Sequence, residues 1–171
     1  MKRLIPILLL MFFSAPVMAV EPITGAFGLK LGDVWDGEAI TTSEEDDQFV
    51  HLFIPDLPHD LFDFYAIQVT PVKKLIFTII GRKKGECEQQ QYQDLKKALI
   101  KKYGAGMEGD EAGHLWRQGK RKREHPDEYP NYTYAKHVLI QCEENGLFIY
   151  YVDLDIYDSR ADELLPDTSN L

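Results

Sequence analysis

Residues 135–157 read AKHVLIQCEENGLFIYYVDLDIY, and this stretch decides the predicted fold. Residues 135–144 and 147–157 are rich in β-branched and aromatic side chains, which is typical of strands. Asn145-Gly146 between them is the preferred two-residue turn of an antiparallel hairpin. Both faces of this hairpin carry apolar residues, so we expect it to lie at the centre of a sheet or beneath a helix. The turn predicts three cross-strand pairs: Cys142 with Ile149, Ile140 with Tyr151, and Val138 with Asp153.

The rest of the chain supplies further strands. Runs of the same kind predict strands at residues 49–54, 62–69 and 75–80. The last two of these read as a hairpin that turns around Pro71, where a missing N–H group does least harm. A short strand is also predicted at residues 114–118.

The clearest helix is predicted at residues 86–103. Gly104 follows it, at the position where a left-handed cap is expected. The predicted fold class is therefore α+β, an antiparallel β-sheet or meander with one principal amphipathic helix packed on one face. The apolar residues of this helix recur at spacings of three and four and form one stripe, Tyr92, Leu95, Leu99 and Tyr103.

Residues 25–32, GAFGLKLG, are rich in glycine. Their spacing superficially resembles a phosphate-binding loop, but the Lys-Ser/Thr ending and a preceding strand are missing. We therefore predict a short strand and turn, after which residues 33–37 begin a short helix. The side chains expected to pack on the core are Phe27, Leu29 and Leu31.

The first 19 residues differ in composition from the rest of the chain. Lys2 and Arg3 precede an apolar run of about ten residues, and Val17-Met18-Ala19 ends in small side chains, which is the layout of a secretory signal peptide cleaved near Ala19. The alternative, a membrane anchor, needs an apolar run of ~20 residues. We expect residues 20–157 to form a single α+β domain and residues 158–171 a partly flexible tail.

The chain has two cysteines, Cys87 and Cys142. In an oxidising compartment an isolated pair of this kind is predicted to form a disulfide. The bond would hold the start of the predicted helix against the turn end of the predicted hairpin. A redox dithiol or a metal-binding pair is the alternative, but the usual Cys-x-x-Cys spacing and flanking His ligands are missing.

The composition argues against several classes of function. There are 19 Lys+Arg and 28 Asp+Glu, and the net charge of −9 argues against a nucleic-acid binder, which needs positive charge. No later segment is apolar for long enough to span a membrane. No serine lies in a known nucleophile motif, and the five histidines form no His-x-x-x-His pair. We therefore expect no metal site and no cofactor.

Residues 116–134 contain the best candidate for a binding site. Aromatic residues beside cations in a loop are typical of recognition surfaces, because they bury area at low entropic cost. The basic run would also suit phosphates of envelope lipids or an acidic partner. The alternative is a solvated loop whose cations pair locally with Glu124, Asp127 and Glu128. The candidate residues are Trp116, Lys120, Arg121, Lys122, Arg123, Tyr129, Tyr132 and Tyr134.

Asp153 and Asp155 are candidates for a carboxylate site. On the predicted strand both side chains point to one face, with Cβ atoms ~7 Å apart. A pair of this kind suits the acid/base chemistry of a glycosidase or the binding of a cation. The alternative is a solvent-facing strand end whose charges prevent edge-to-edge aggregation.

Four short features together resemble small exported bacterial proteins of uncharacterised function. They are the Gly-x-Phe-Gly-Leu-x-Leu-Gly start, Val69-Thr70-Pro71, Cys87 at a helix start and Lys102-Tyr103-Gly104 at its end. The resemblance covers roughly residues 25–157 and implies a fold and a compartment, not an activity. A helix followed by an antiparallel meander is also similar to the β-lactamase-inhibitor-protein type of fold and to small envelope-assembly proteins, which commonly bind other proteins.

The export signal, the missing catalytic motifs and the basic-aromatic loop at residues 116–134 predict a periplasmic or secreted protein-binding module without catalytic activity. Its expected partner is an envelope or secreted protein, which it would bind as an inhibitor, an immunity factor or an assembly accessory. The alternative function is that of an enzyme that acts on an envelope glycan through Asp153 and Asp155.

Overall fold

The computed structural model describes residues 20–45, 48–108, 113–121 and 134–164, with backbone alone at 43–45 and 48–49. The predicted signal peptide, residues 1–19, lies outside the described residues. In the described part of the chain, eight strands form one antiparallel sheet, and two short strands, β1 (Gly25–Ala26) and β2 (Leu29–Lys30), pair as a separate hairpin. The α+β class and the antiparallel sheet are confirmed.

The sheet consists of two four-stranded meanders that meet in the middle. The first contains β3 (Thr41–Glu45), β4 (Gln48–Leu52), β5 (Phe64–Val69) and β6 (Ile76–Lys84). The second contains β7 (Met107–Glu108), β8 (Gly113–Gln118), β9 (Lys136–Glu143) and β10 (Gly146–Asp153). Since β6 pairs with β10, these two strands are central, and β3 and β7 are the edges.

The helix α1 (Gln89–Tyr103) leads from the central strand β6 to the edge strand β7. Its predicted apolar stripe is buried and joins one core cluster with residues of the sheet such as Val138 and Ile149. After α1, Gly104 has a φ of 83° and donates its N–H to the carbonyl of Ile100. The predicted helix is confirmed from Gln89 onward, but the predicted left-handed cap is not, because ψ of Gly104 is −169°.

Cys87 and Cys142 form a disulfide, with Cα atoms 5.5 Å apart. Cys87 lies just before α1, and Cys142 lies near the end of β9. The bond therefore joins the start of the helix to the turn end of the central hairpin, as predicted. Both cysteines pack against the core.

The β1–β2 hairpin packs on the core through Phe27. The Phe27 ring lies edge-on to Tyr65, with ring centroids 4.8 Å apart. A Cβ atom at Gly81 on β6 would lie 2.9 Å from Cζ of Phe27, so the missing side chain at Gly81 makes room for the ring. The predicted strand and turn at residues 25–32 are confirmed.

The turn of the central hairpin lies one residue earlier than predicted. Glu143 pairs with Gly146, so that the turn residues are Glu144 and Asn145. The predicted register is therefore wrong by two residues, a shift that leaves each side chain on its predicted face. The observed pairs are Cys142 with Leu147, Ile140 with Ile149, and Val138 with Tyr151.

Gly146 is needed inside β10, rather than in the turn, because the neighbouring strand approaches it closely. Its φ is 150°, and a Cβ atom there would lie 2.1 Å from the carbonyl oxygen of Lys83. Gly85 also has a positive φ, 98°, but a Cβ atom there would meet nothing within 4 Å.

We expect Gly146→Ala to lower the free energy of unfolding by about 2 kcal/mol. The new methyl group would clash with the Lys83 carbonyl, and alanine would be strained at this positive φ. The matched variant Gly85→Ala adds the strain alone, and we expect a loss of about 1 kcal/mol. Chemical denaturation measures both values. Equal losses of stability in the two variants would show that the close approach of β6 is not the reason why position 146 requires glycine.

A second helix, α2 (Leu154–Leu164), replaces the end of the predicted second strand. The prediction that this strand continues to Tyr157 is wrong, because the chain leaves the sheet after Asp153. Oδ1 of Asp153 accepts a hydrogen bond from the N–H of Ile156 at 3.2 Å, so Asp153 caps the first turn of the helix. Residues 158–164 of the predicted tail belong to α2, and residues 165–171 lie outside the described part.

The far end of α2 is held by Glu163. Its Oε2 accepts hydrogen bonds from the N–H groups of Val72 and Lys73 in the β5–β6 turn, at 2.9 and 3.0 Å. Burial alone would raise the pKa of Glu163, but these donors and the charge of Lys73 outweigh it and lower the pKa. The prediction of one principal helix on one face is thus confirmed only in part, because a second helix also docks on the sheet, where it contacts β6.

Candidate functional site

The structure describes four of the eight residues in the predicted binding loop. Trp116 is 2% exposed, and its Nε1 donates a hydrogen bond to the carbonyl of Gly104, so this side chain belongs to the core. Lys120 and Tyr134 are exposed, and the guanidinium of Arg117 lies 5.5 Å from the Tyr134 ring centroid. The residues outside the described part are Lys122, Arg123, Tyr129 and Tyr132.

Arg121, the fourth described residue, forms a buried ion pair with Asp158 on α2. Its Nε donates to Oδ2 of Asp158 at 2.7 Å, and its Nη2 donates to Oδ1. The side chains are 9% and 4% exposed. The bonds to Asp158 raise the pKa of Arg121 above its ordinary value. This pair anchors the beginning of the loop. Of the four described candidate residues, Lys120 and Tyr134 are the two that face solvent.

The predicted carboxylate pair does not lie on one strand. Asp153 ends β10 and is buried. It caps α2, and its Oδ2 forms an ion pair with Nζ of Lys136 at 3.3 Å. Asp155 lies in the first turn of α2. The prediction that both side chains point to one strand face is wrong, because the helix begins between them.

Two general observations concern the described residues alone. No group of three His, Cys, Asp or Glu side chains there is placed to hold a metal ion. None of the described helices combines the length and the apolar character that crossing a membrane requires.

An open cleft of about 610 Å³ lies beside the β1–β2 hairpin, and we call it the N-terminal cleft. It is lined by residues 28–29, 33–40 and 53–56 and by Ile76. Ile76 and Phe53 are buried, and the ring of Trp35 lies edge-on to that of Phe53 with centroids 5.5 Å apart. These side chains form an apolar floor.

One wall of the cleft, residues 33–40, is tied to the start of β6. The N–H of Ile76 donates to the carbonyl of Asp33 at 2.9 Å, and the N–H of Trp35 donates to the carbonyl of Lys74 at 2.8 Å. The helix predicted at residues 33–37 does not form, because these backbone groups bond across to another segment. The beginning of this wall is therefore held against the sheet by backbone hydrogen bonds.

The other wall, residues 53–56, continues from β4. The N–H of Phe53 donates to the carbonyl of Tyr65 on β5 at 3.2 Å, and the N–H of Ile40 donates to the carbonyl of Leu52 at 2.7 Å. Both walls are thus anchored to the sheet by backbone hydrogen bonds. The anchoring gives the cleft a shape that exists before anything binds.

Large apolar side chains are exposed around the cleft. Val34, Ile40 and Ile54 line it and are 61%, 67% and 80% exposed. Leu57 is 66% exposed and lies close to Gly28 on the rim. Single exposed apolar residues are ordinary, but a group of them around one concave surface is typical of an interaction site.

A smaller depression of about 250 Å³ adjoins the cleft. It shares Ile40, Ile54 and the segment between Phe53 and Pro55 with the cleft, and it extends to Pro58 and Phe64. The two depressions therefore lie on either side of residues 53–55. Together they form a longer concave surface than either one alone.

The cleft is also acidic. None of the described residues that line it is Lys, Arg or His. The exposed carboxylates that line it are Asp33, Asp36, Glu38 and Asp56.

Sequence reasoning missed this site. Its walls read DVWDGEAI at residues 33–40 and FIPDL at residues 53–57, and neither segment has the period of a helix or of a strand beyond its first residues. The available signal was the mixture itself, in which apolar residues such as Val34, Trp35 and Ile54 lie beside an acid or a proline.

Comparison of the chain with protein-family models, with curated proteins and with solved structures finds no match.

Proposed function

We propose that this chain is a protein-binding module of an oxidising compartment, periplasmic or secreted, and that the N-terminal cleft is its binding surface. It would act as an inhibitor, an immunity factor or an assembly accessory rather than as a catalyst. The observation that carries the proposal is the exposure of Val34, Ile40 and Ile54 around one preformed concavity. Burying these side chains against a partner would contribute a favourable free energy of about 25 cal/mol per Å² of apolar surface.

The disulfide supports the choice of compartment. Bonds of this kind persist in oxidising environments and are rare in the reducing cytosol. Cys87 and Cys142 are joined in the structure, and the predicted signal peptide would deliver the chain to such an environment. The glycan-acting alternative loses its support, because the carboxylates it relied on do not form a pair on one face.

Site-specific photo-crosslinking tests the proposal. A photoreactive residue at Ile54 or Val34 is expected to give one discrete adduct with a protein in the cells that naturally produce the chain. The matched control is the same residue at Met107, which is also an exposed apolar position but lies on β7, at the opposite edge of the sheet. Adducts that are the same at all three positions, or missing from all three, would contradict the proposal.

A further inference from the structure

The charge around the N-terminal cleft is of one sign on both walls. Asp33, Asp36 and Glu38 lie on one wall and Asp56 on the other. None of the four makes an ion pair with another described residue. No described ion pair therefore compensates these carboxylates, and a concave surface of one sign concentrates counter-charges.

Among the described cations, Lys30 and Lys74 lie beside the walls, where their carbonyls accept hydrogen bonds from the N–H groups of Asp33 and Trp35, but neither residue lines the cleft. Lys96 and Lys102 lie on α1, where their ammonium groups pair with Glu108 and Glu21. The described lining of the cleft thus carries four carboxylates and no cationic side chain.

Resting on the proposed function, we infer that the bound segment is a cationic stretch of polypeptide with apolar side chains between its Lys or Arg residues. The apolar side chains would cover Val34, Ile40 and Ile54, and the cations would meet the carboxylates on either wall. Complementary charge favours the correct partner and speeds encounter, and apolar burial supplies affinity. Ligands that carry phosphate or other anionic groups are repelled by the same carboxylates.

The two tryptophans provide a reporter with an internal control. Trp35 lines the cleft, whereas Trp116 is buried in the core on the other half of the sheet. In a ¹H–¹⁵N spectrum each indole N–H gives its own signal. A ligand in the cleft moves the Trp35 signal and leaves the Trp116 signal in place, and an unchanged Trp116 signal also shows that a variant is folded.

Three short synthetic peptides serve as probes. The first alternates Lys with Leu and Phe, the second replaces each Lys with Glu, and the third replaces each Leu and Phe with Ser. We expect only the first to move the Trp35 signal in a saturable way. Binding of the Glu or the Ser peptide with equal affinity would overturn the inferred chemistry.

Charge variants test whether the cleft itself is responsible. Replacing Asp33, Asp36 and Asp56 by Asn is expected to weaken binding of the Lys peptide about tenfold at low salt, because each exposed pair contributes modestly. The matched control replaces three exposed carboxylates elsewhere, Glu86, Glu88 and Glu144, by Gln. It changes the net charge equally, and we expect it to alter affinity by less than about twofold. Equal weakening by both variants would overturn the inference.

The outcomes separate this inference from the proposed function. If crosslinking from Ile54 captures a partner but the cleft charge variant binds that partner as tightly as the native chain does, the proposed function stands and the cationic segment is excluded. If crosslinking from Ile54 gives no adduct and no peptide moves the Trp35 signal, both are excluded.

Discussion

Replacing Cys87 and Cys142 together with alanine is expected to lower the free energy of unfolding by about 4 kcal/mol. The two residues are 55 positions apart, so the bond closes a long loop and removes conformational freedom from the unfolded chain. It also holds the start of α1 against the central hairpin, which brings two parts of the core together. Urea denaturation of the native chain and of the double variant measures the loss.

Reductant supplies the control for this prediction. It should lower the stability of the native chain by a similar amount and leave the double variant unchanged. In protein taken from the producing cells, the two thiols should react with an alkylating reagent only after reduction. A loss below about 1 kcal/mol, or thiols that are free without reduction, would contradict the role given to the bond.

Asp158→Asn is expected to lower the free energy of unfolding by about 3 kcal/mol, because it removes the carboxylate that compensates a buried guanidinium. The Arg121 and Asp158 side chains are almost fully buried, and two hydrogen bonds join them. Thermal or urea denaturation measures the change. The variant is also expected to loosen the attachment of residue 121 to α2.

An exposed ion pair provides the matched control. Asp94 and Lys97 on α1 lie 3.5 Å apart and are both open to solvent, so Asp94→Asn should give no measurable loss. Replacing Arg121 by Met and Asp158 by Leu together should recover most of the stability, since the apolar pair leaves no buried charge. If Asp158→Asn behaves like Asp94→Asn, the ion pair does not anchor the loop.

The sheet and α1 were predictable from local patterns. The stripe from Tyr92 to Tyr103 has a helical period, and the runs on either side of the central turn have strand composition. The register was not predictable in this way, because Asn145-Gly146 reads as a turn. The close approach of Lys83, which requires the glycine in β10, is a property of the neighbouring strand.

The second helix shows a different limit of local patterns. Leu154, Ile156 and Tyr157 follow Val152 in a sequence that reads as one long strand. The signal for a helix start is Asp153, an N-cap residue three positions before the N–H that it binds, but the same aspartate also fits an alternating strand. This one aspartate is therefore not enough to distinguish the start of a helix from the continuation of the strand.

The candidate sites depend on burial, which sequence patterns do not report directly. Trp116 lies beside a basic run, yet it points into the core, where its strand position pairs with Val138. The apolar residues of the N-terminal cleft show the reverse, because nothing in the local sequence distinguishes an exposed Ile54 from a buried one. The role of the basic loop from Lys120 to Tyr134 stays a prediction.

Amide hydrogen exchange is the most direct measurement of where binding takes place. It is measured on the domain alone and on the domain mixed with the partner that crosslinking identifies. We expect slower exchange in residues 33–40 and 53–57 when the partner is added, with little change in β7 and β8. Unchanged exchange in both of those segments, together with protection elsewhere on the domain, would contradict the assignment of the N-terminal cleft as the binding surface.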